Sequence, residues 1–189
     1  MLTFTLDTNC IIALDEKRPE AAHLQSLIAA HDAGNADVGL VAISASERQK
    51  KGGPLEDFRH FEQRLASLGL DRLVLLPPMF YWDLGFWDQA LWADDEKEAL
   101  ELKIHSVLFP NIDFLWSVFC QARGVDQNSH EARWRNAKCD VQALWTHIHH
   151  HRDVFVTSDM NFHHAGKKPQ LIQLGAGRIE SPQTAISLV

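Results

Sequence analysis

The sequence predicts the α/β fold class, with a central, mostly parallel sheet flanked by helices. Short apolar segments alternate along the chain with segments of helical periodicity, an order typical of a parallel sheet covered by helices. Residues 38–43 are apolar at nearly every position, as expected of a strand buried on both faces. The length of 189 residues, of which 46% are hydrophobic and 23% charged, fits one compact domain spanning residues 1–189.

The first quarter of the chain is predicted to form two strands separated by two helices. Residues 2–6 alternate apolar with β-branched residues and stop at Asp7, a residue type common in turns and helix caps. A short helix is expected at residues 10–14, and a longer one begins after Pro19 with its apolar residues on one helical face. A Gly-Asn pair ends the second helix, and a buried strand is expected at residues 36–43.

Helices are predicted to predominate in the middle of the chain. Ser44 and Glu47 have the spacing of a capping box, which predicts that a helix begins at Ser44. A short strand is expected at residues 73–76, just before two prolines. Residues 54–128 are expected to form a helical, tryptophan-rich elaboration within the domain. The helices expected there lie at residues 58–68, 94–108 and 112–122.

The last third is predicted to contain one long helix and two strands. The helix is expected at residues 129–150, where apolar residues recur at helical spacing. A strand at residues 153–157 ends at the turn-forming pair Ser158-Asp159. A further strand is expected at residues 170–174.

Four carboxylates are expected to meet at one edge of this sheet. Asp7 and Asp159 directly follow predicted strands, and Glu47 lies one helical turn beyond the strand that ends at residue 43. In open parallel sheets, active sites form in the crevice beyond the carboxyl ends of the strands. Asp140 lies in an otherwise apolar part of the late helix and is expected to point toward the same edge.

A carboxylate cluster favours a divalent metal site, because ionised acids in one cleft repel one another unless a cation compensates their charge. Mg²⁺ and Mn²⁺ prefer oxygen ligands and are held by a few carboxylates together with water and phosphate oxygens. Such ions activate water for an in-line displacement at phosphorus. The pattern therefore indicates Mg²⁺ or Mn²⁺ as cofactor, and a hydrolysis that needs no Ser, His or Cys nucleophile.

Each acid taken alone also has an ordinary structural interpretation. Asp7 fits the N-cap of the first helix, and Glu47 fits the second position of the capping box. Asp159 fits an Asx turn. Asp140 is harder to explain in this way, because an acid among apolar helix residues needs a partner. Only the joint pattern favours a metal site.

The acids and their neighbours resemble those of the PIN domains, the family that includes the VapC-type toxins of toxin–antitoxin pairs. Four short segments match the family's motifs in order and spacing. They are Leu6-Asp7-Thr8-Asn9, Ile43-Ser44-Ala45-Ser46-Glu47, Cys139-Asp140-Val141-Gln142-Ala143-Leu144 and Val156-Thr157-Ser158-Asp159-Met160-Asn161-Phe162.

The resemblance implies a parallel sheet between helices and a ribonuclease activity that depends on Mg²⁺ or Mn²⁺. It also implies an RNA substrate and raises the hypotheses of an antitoxin partner and a homodimer. The acids that it assigns to metal binding and catalysis are Asp7, Glu47, Asp140 and Asp159. The polar residues that it assigns to their support are Thr8, Asn9 and Ser158.

Two other functional classes compete with the endoribonuclease. One is a PIN-like binding module with little or no catalysis, which would keep the acids but need not take up metal. The other is a phosphatase or receiver-like α/β domain, which is disfavoured because the sequence shows no nucleophile-plus-lysine arrangement.

Basic residues near the acids are candidates for contact with phosphate, although an ordinary solvated helix face also explains each of them. Those beside Glu47 are Arg48, Lys50 and Lys51, and those before Asp140 are Arg133, Arg135 and Lys138. The net charge of −7 disfavours a protein that coats nucleic acid passively. It is less of an objection to a metal-using enzyme, because bound cations reverse the local charge.

The remaining features indicate a cytoplasmic protein. Two further segments, one rich in histidine and one in tryptophan, have no assigned function. The three cysteines form no CxxC pair, and neither a signal peptide nor a membrane span is evident. The run from His147 to His151 is better explained as a helix C-terminus than as a transition-metal site. Trp82, Trp87 and Trp92 fit core or interface packing better than base stacking.

Overall fold

The computed structural model describes residues 1–46, 58–79, 91, 94–126 and 131–189. The strands in these ranges form a five-stranded sheet in which every pairing is parallel. The strands are β1 (Leu2–Leu6), β2 (Ala36–Val41), β3 (Val74–Leu76), β4 (Val154–Val156) and β5 (Arg178–Glu180). The sheet order is β3-β2-β1-β4-β5. The predicted α/β class with a parallel sheet flanked by helices is therefore confirmed.

The helices of the described residues precede or follow these strands in the alternation that the sequence predicts. They are α1 (Thr8–Asp15), α2 (Ala21–Asp32), α3 (Phe58–Ser67), α4 (Asp95–Leu108), α5 (Trp116–Arg123), α6 (Ala132–His149), α7 (Met160–His163), α8 (Lys168–Leu171) and α9 (Pro182–Ile186). A 3₁₀ helix, Ala42–Ser46, follows β2, and a π-helical turn, Ile172–Ala176, follows α8.

Two buried apolar clusters cover the two faces of the sheet. Phe4 and Leu6 of β1 belong to one cluster, together with side chains of α1, α2 and α3. Phe155 of β4 belongs to the other, together with side chains of α4 and α6. Successive side chains of a strand point to opposite faces, so β2 and β4 contribute to both clusters.

A buried polar contact joins the sheet to α6. Thr5 lies between Phe4 and Leu6, and its Oγ1 is 2.9 Å from Nδ1 of the fully buried His147. The other ring nitrogen, Nε2, lies 3.0 Å from the carbonyl oxygen of Ala176. A neutral imidazole has one donor and one acceptor, so Nε2–H donates to the carbonyl and Nδ1 accepts from the hydroxyl. Burial lowers the pKa of His147 to about 4, which keeps the ring neutral.

The strand order reverses at β1. The chain runs outward from β1 to β2 and β3, and then returns through α4, α5 and α6 to place β4 on the other side of β1. Connections on the two sides of such a point diverge, which leaves a crevice beyond the carboxyl ends of the two strands. The fold therefore provides a crevice where β1 and β4 end.

Charged residues tie together the opposite, amino-terminal edge of the sheet. Nη1 of Arg152 lies 2.6 Å from a carboxylate oxygen of Asp37, and its Nη2 donates to the carbonyl oxygens of Phe4 and Asp37, both at 2.8 Å. Asp153 accepts bonds from the backbone N–H and the hydroxyl of Thr3. These contacts connect the beginnings of β1, β2 and β4 and so support the register of the central strands.

The prediction of a strand at residues 170–174 is wrong. That segment is helical, and the fifth strand lies later, at Arg178–Glu180. Leu171 is buried, whereas Ile172 is 41% exposed and Leu174 packs against the same cluster as Leu171. Leu171 and Leu174 are three residues apart, which is a helical spacing, and a short segment with three apolar residues does not distinguish a helix from a strand.

Smaller differences concern where helices begin. Ser44 lies within a 3₁₀ helix and does not begin an α-helix. Helix α5 begins at Trp116 instead of residue 112. The helices and the short strand predicted at residues 58–68, 94–108 and 73–76 are present. Trp82, Trp87 and Trp92 lie outside the described residues. No helix within the described ranges combines the length and apolar character needed to cross a bilayer.

Gly177 should be intolerant of any side chain. It has φ 57° and ψ −121°, and a Cβ there would lie 2.5 Å from the carbonyl oxygen of Asp153, which accepts the bond from Arg178 N–H that starts β5. We expect Gly177→Ala to lower the free energy of unfolding by about 3 kcal/mol or more. Gly124→Ala is the control, because Gly124 has φ 61° with open space around it, and left-handed backbone alone costs roughly 1–2 kcal/mol. Equal losses in a urea titration would contradict the packing argument.

The neutral, buried state of His147 predicts a stability that depends on pH. Below pH 6.5 the unfolded chain protonates His147 while the folded chain does not, so the free energy of unfolding falls as the pH is lowered from 6.5 toward 4. We expect a contribution of about 2 kcal/mol to be lost by pH 5. Urea unfolding at pH 7.5 and pH 5 should show a smaller loss for His147→Gln than for the wild type. The same loss in both proteins would show that His147 does not titrate in this way.

Candidate metal centre at the ends of β1 and β4

Asp7 and Asp159 lie at the same edge of the sheet, in the crevice where the strand order reverses. Leu6 of β1 pairs with Val156 of β4, and the N–H of Asp7 donates to the carbonyl oxygen of Val156 at 3.0 Å. The chain therefore leaves both strands at the same level. Burial is the main cause of the raised pKa of Asp7, and the negative charge of Asp159 adds to it.

Three donors hold the carboxylate of Asp7. Its Oδ1 accepts from the N–H of Thr8 at 2.7 Å, which caps α1. Its Oδ2 accepts from the side chain of Asn9 at 2.9 Å and from the hydroxyl of Thr157 at 2.8 Å. A carboxylate has about four lone-pair sites. One site is thus left for a further ligand, and the orientation of the group is fixed by the other three.

Thr157 and Asn9 link the β1 end to the β4 end. The hydroxyl of Thr157 accepts from Asn9 Nδ2 at 3.0 Å and from the N–H of Asp159 at 3.1 Å while it donates to Asp7. Oδ1 of Asn9 accepts from the N–H of Ser158 at 3.2 Å. Each of these polar atoms has its bonding capacity used, so the turn that carries Asp159 is fixed relative to Asp7.

Burial sets the proton affinity of Asp7. The residue is 2% exposed, and desolvation raises its pKa to about 6. The bonds from Thr157 and Thr8 act in the opposite direction, and the charge of Asp159 raises the pKa further. Asp7 is therefore ionised at neutral pH at an energetic cost that a bound cation would remove.

Asp159 is half-buried and also caps a helix. Its Oδ1 accepts from the N–H of Asn161 at 2.8 Å, at the start of α7. The helix cap predicted for Asp7 and the Asx turn predicted for Asp159 are thus both present. They do not compete with metal binding, because capping uses only part of the acceptor capacity of each carboxylate.

Ser44, on the β2 side of the crevice, contacts the polar residues around Asp7. Its hydroxyl lies 2.7 Å from the hydroxyl of Thr8, and both residues are buried. Ser44 belongs to the 3₁₀ helix that leads toward Glu47. Glu47 itself lies outside the described residues, as do Arg48, Lys50 and Lys51.

Asp140 occupies the face of α6 that carries His147. It precedes His147 by seven residues, which is two helical turns, or about 10 Å along the helix axis. Since His147 contacts Thr5 and α6 runs toward the amino end of β4, Asp140 lies nearer to the carboxyl-terminal edge of the sheet. Asp140 is half-buried. Within the ranges that the structure describes, however, no three His, Cys, Asp or Glu side chains are arranged to hold a metal ion.

The basic residues of α6 differ in their environment. Lys138 forms a buried ion pair with Glu101 of α4 at 2.8 Å, and its ammonium lies 3.6 Å from the ring centre of Phe114. It is thus part of the α4–α6 core, which contradicts its candidacy for phosphate contact. Arg135 is half-buried near the start of α6, and its contact with substrate stays a prediction.

The His147 ring has no nitrogen available for a transition metal. Both ring nitrogens of His147 are used within the core, and His151 is exposed beyond the end of α6 with φ 51°. His147 therefore packs against the sheet, and its neighbours end the helix.

Thr157, Ser44 and His163 support this site, a role that the sequence did not predict for any of them. Nε2 of His163 lies 2.9 Å from the carbonyl oxygen of Thr157 and supports the same turn. Thr157 carries a detectable signal, because a hydroxyl at the last buried position of an apolar strand needs a partner. The contacts of Ser44 and His163 depend on tertiary structure and have no local signal.

Comparison of the sequence with protein-family profiles and with curated proteins found no match.

Thr157→Val should raise the pKa of Asp7 above 6. The substitution keeps the shape of the side chain but removes the hydroxyl that donates to the carboxylate, and a bond to the charged form lowers a pKa. The carboxyl carbon of Asp7 can be followed by NMR during a pH titration. Thr146→Val is the matched control, because its buried hydroxyl bonds only within α6, to the carbonyl oxygen of Gln142. An unchanged Asp7 titration in Thr157→Val would contradict the network.

Proposed function

We propose that this protein is a PIN-like endoribonuclease that uses Mg²⁺ or Mn²⁺ to hydrolyse phosphodiester bonds of RNA. The observation that carries the proposal is the pairing of Asp7 with Asp159 at the point where the strand order reverses. A buried, fixed carboxylate beside a second acid is costly without a cation. The four motifs that resemble PIN domains support the same activity.

The residues present fit a hard divalent cation. The donors are carboxylate oxygens, and Mg²⁺ is commonly held by one or two carboxylates, with water and phosphate oxygens completing its coordination. Asp7 and Asp159 meet this minimum, and Glu47 and Asp140 are proposed as further ligands. The absence of nitrogen or sulfur donors from this set disfavours zinc.

A bound cation would supply an activated water and charge stabilisation at phosphorus. The protein residues position the ligands for that chemistry. Asn9 and Thr157 hold the Asp7 carboxylate in one orientation, and Asn9 also holds the N–H of Ser158 beside Asp159. Preformed ligands of this kind need little rearrangement when substrate arrives.

The resemblance is the basis for two finer features of the proposal, a type II toxin with an antitoxin partner and a homodimer. A cytoplasmic location is proposed from the three scattered cysteines. The basic residues proposed to contact RNA phosphates are Arg48, Lys50, Lys51 and Arg135.

A PIN-like binding module with little or no catalysis is the second candidate. It is favoured by one observation, that among the described residues only two acids meet at the edge where a metal would bind. Uptake of metal distinguishes the two functions, because a pure binding module need not take up Mn²⁺.

Asp7→Asn should abolish Mn²⁺-dependent RNA cleavage while the protein remains folded, because the buried ligand loses its charge. In the wild type, Mn²⁺ at a hundredfold excess over its dissociation constant should raise the free energy of unfolding by about 2.7 kcal/mol. This gain should be much smaller in Asp7→Asn. Thermal unfolding with and without Mn²⁺, together with cleavage of mixed single-stranded RNAs, measures both effects.

Asp71→Asn is the control for the loss of one negative charge. Asp71 is exposed in the turn before β3, at the amino end of that strand, so the variant should cleave and bind Mn²⁺ as the wild type does. Undiminished cleavage by Asp7→Asn would exclude the proposed mechanism. Stabilisation of the wild type by Mn²⁺ without any cleavage would favour the binding module.

A further inference from the structure

A cleft of about 430 Å³ adjoins the turn that carries Asp159, on the β5 side of the sheet edge. Its walls come from the α1–α2 loop and from the turns that follow β4 and β5. They include Ser158 and Met160, the two residues on either side of Asp159. The cleft is within the size range of small-molecule sites, roughly 300–1,000 Å³. A group bound there would lie beside the turn that carries Asp159.

The lining of the cleft combines apolar surfaces with polar groups. Pro19, Met160 and Pro182 provide the apolar part, and the Met160 side chain is 73% exposed. Hydrogen-bonding groups come from Glu20, Gln183, His23, His163, Ser158 and Ser181. None of the described residues that line the cleft is Lys or Arg. The lining thus combines apolar surface with hydrogen-bond donors and acceptors, the combination that an unpaired base uses.

We propose that this cleft binds one unpaired nucleoside of the RNA, next to the phosphate that the acids hold. The inference rests on the proposed function and adds where the substrate lies. Unpaired bases are bound by stacking on side chains and by hydrogen bonds to their edges. Met160 and the two prolines provide the surfaces against which a base stacks, and Glu20 and Gln183 face its edge. A duplex does not fit, because its bases are paired and stacked on one another.

Binding of RNAs that lack single bases tests this assignment. The probes are short, fluorescently labelled single-stranded RNAs, each with one abasic position, titrated with the full-length protein in Ca²⁺ and checked by gel for intact RNA. One abasic position should weaken binding to the wild type by roughly fivefold to a hundredfold, the range of base stacking on a side chain. The Met160→Ala variant should bind the complete RNA more weakly, and its affinity should no longer change when the base at that position is removed.

Val118→Ala is the matched control, because Val118 is an apolar residue of α5 that is 44% exposed and does not line the cleft. It should behave as the wild type. The inference is overturned if no abasic position affects wild-type binding, if RNA does not bind, or if Met160→Ala keeps the wild-type sensitivity.

Cleavage in Mn²⁺ separates this inference from the proposed function. Cleavage without any sensitivity to Met160→Ala would remove the nucleoside site and leave the nuclease. If one abasic position weakens binding in a way that depends on Met160, but no cleavage occurs, the nucleoside site would be supported and the nuclease activity excluded.

Discussion

The buried carboxylate of Asp7 is the constraint on which the site depends. A pKa near 6 for an aspartate whose ordinary value is 3.8 corresponds to a cost of about 3 kcal/mol for the ionised group at neutral pH. Thr8, Asn9 and Thr157 reduce this cost through hydrogen bonds but do not remove it, and the charge acting on Asp7 from Asp159 increases it. The packed core of the sheet supplies the stability that holds the two acids together. A cation bound between them would compensate both charges.

The two edges of the sheet differ in how their charges are compensated. At the amino-terminal edge, Arg152 pairs with Asp37, and Asp153 is bonded to Thr3. On α6, the positive charge of Lys138 is used in a buried pair with Glu101. Burial lowers the pKa of Lys138, and the Glu101 charge opposes that shift. These positively charged side chains stabilise the fold and do not compensate the charge of Asp7. Compensation at the carboxyl-terminal edge is therefore proposed to come from a metal ion, which explains how a protein of net charge −7 could act on RNA.

The sequence predicted the parts of the fold and site that depend on local patterns. Buried strands, the helix after Asp7 and the placement of Asp7 and Asp159 at strand ends follow from periodicity and from the geometry of parallel sheets. The helix at residues 168–176 was missed because a five-residue segment with three apolar residues, 170–174, fits either element. The roles of Ser44, His163 and Lys138 were not predictable, since their partners are 36, 6 and 37 residues away and meet them only in the folded chain. For Asp140, helix geometry gives only the face of α6 on which the residue lies.

The location of a bound cation tests the central claim most directly. Crystals of the protein soaked in Mn²⁺ can be measured at a wavelength where manganese scatters anomalously. The account predicts an anomalous peak at the ends of β1 and β4, within about 2.3 Å of carboxylate oxygens of Asp7 and Asp159, the distance expected for a hard cation and an oxygen ligand. A well-diffracting soaked crystal with no peak there, or with manganese only at other sites, would contradict it.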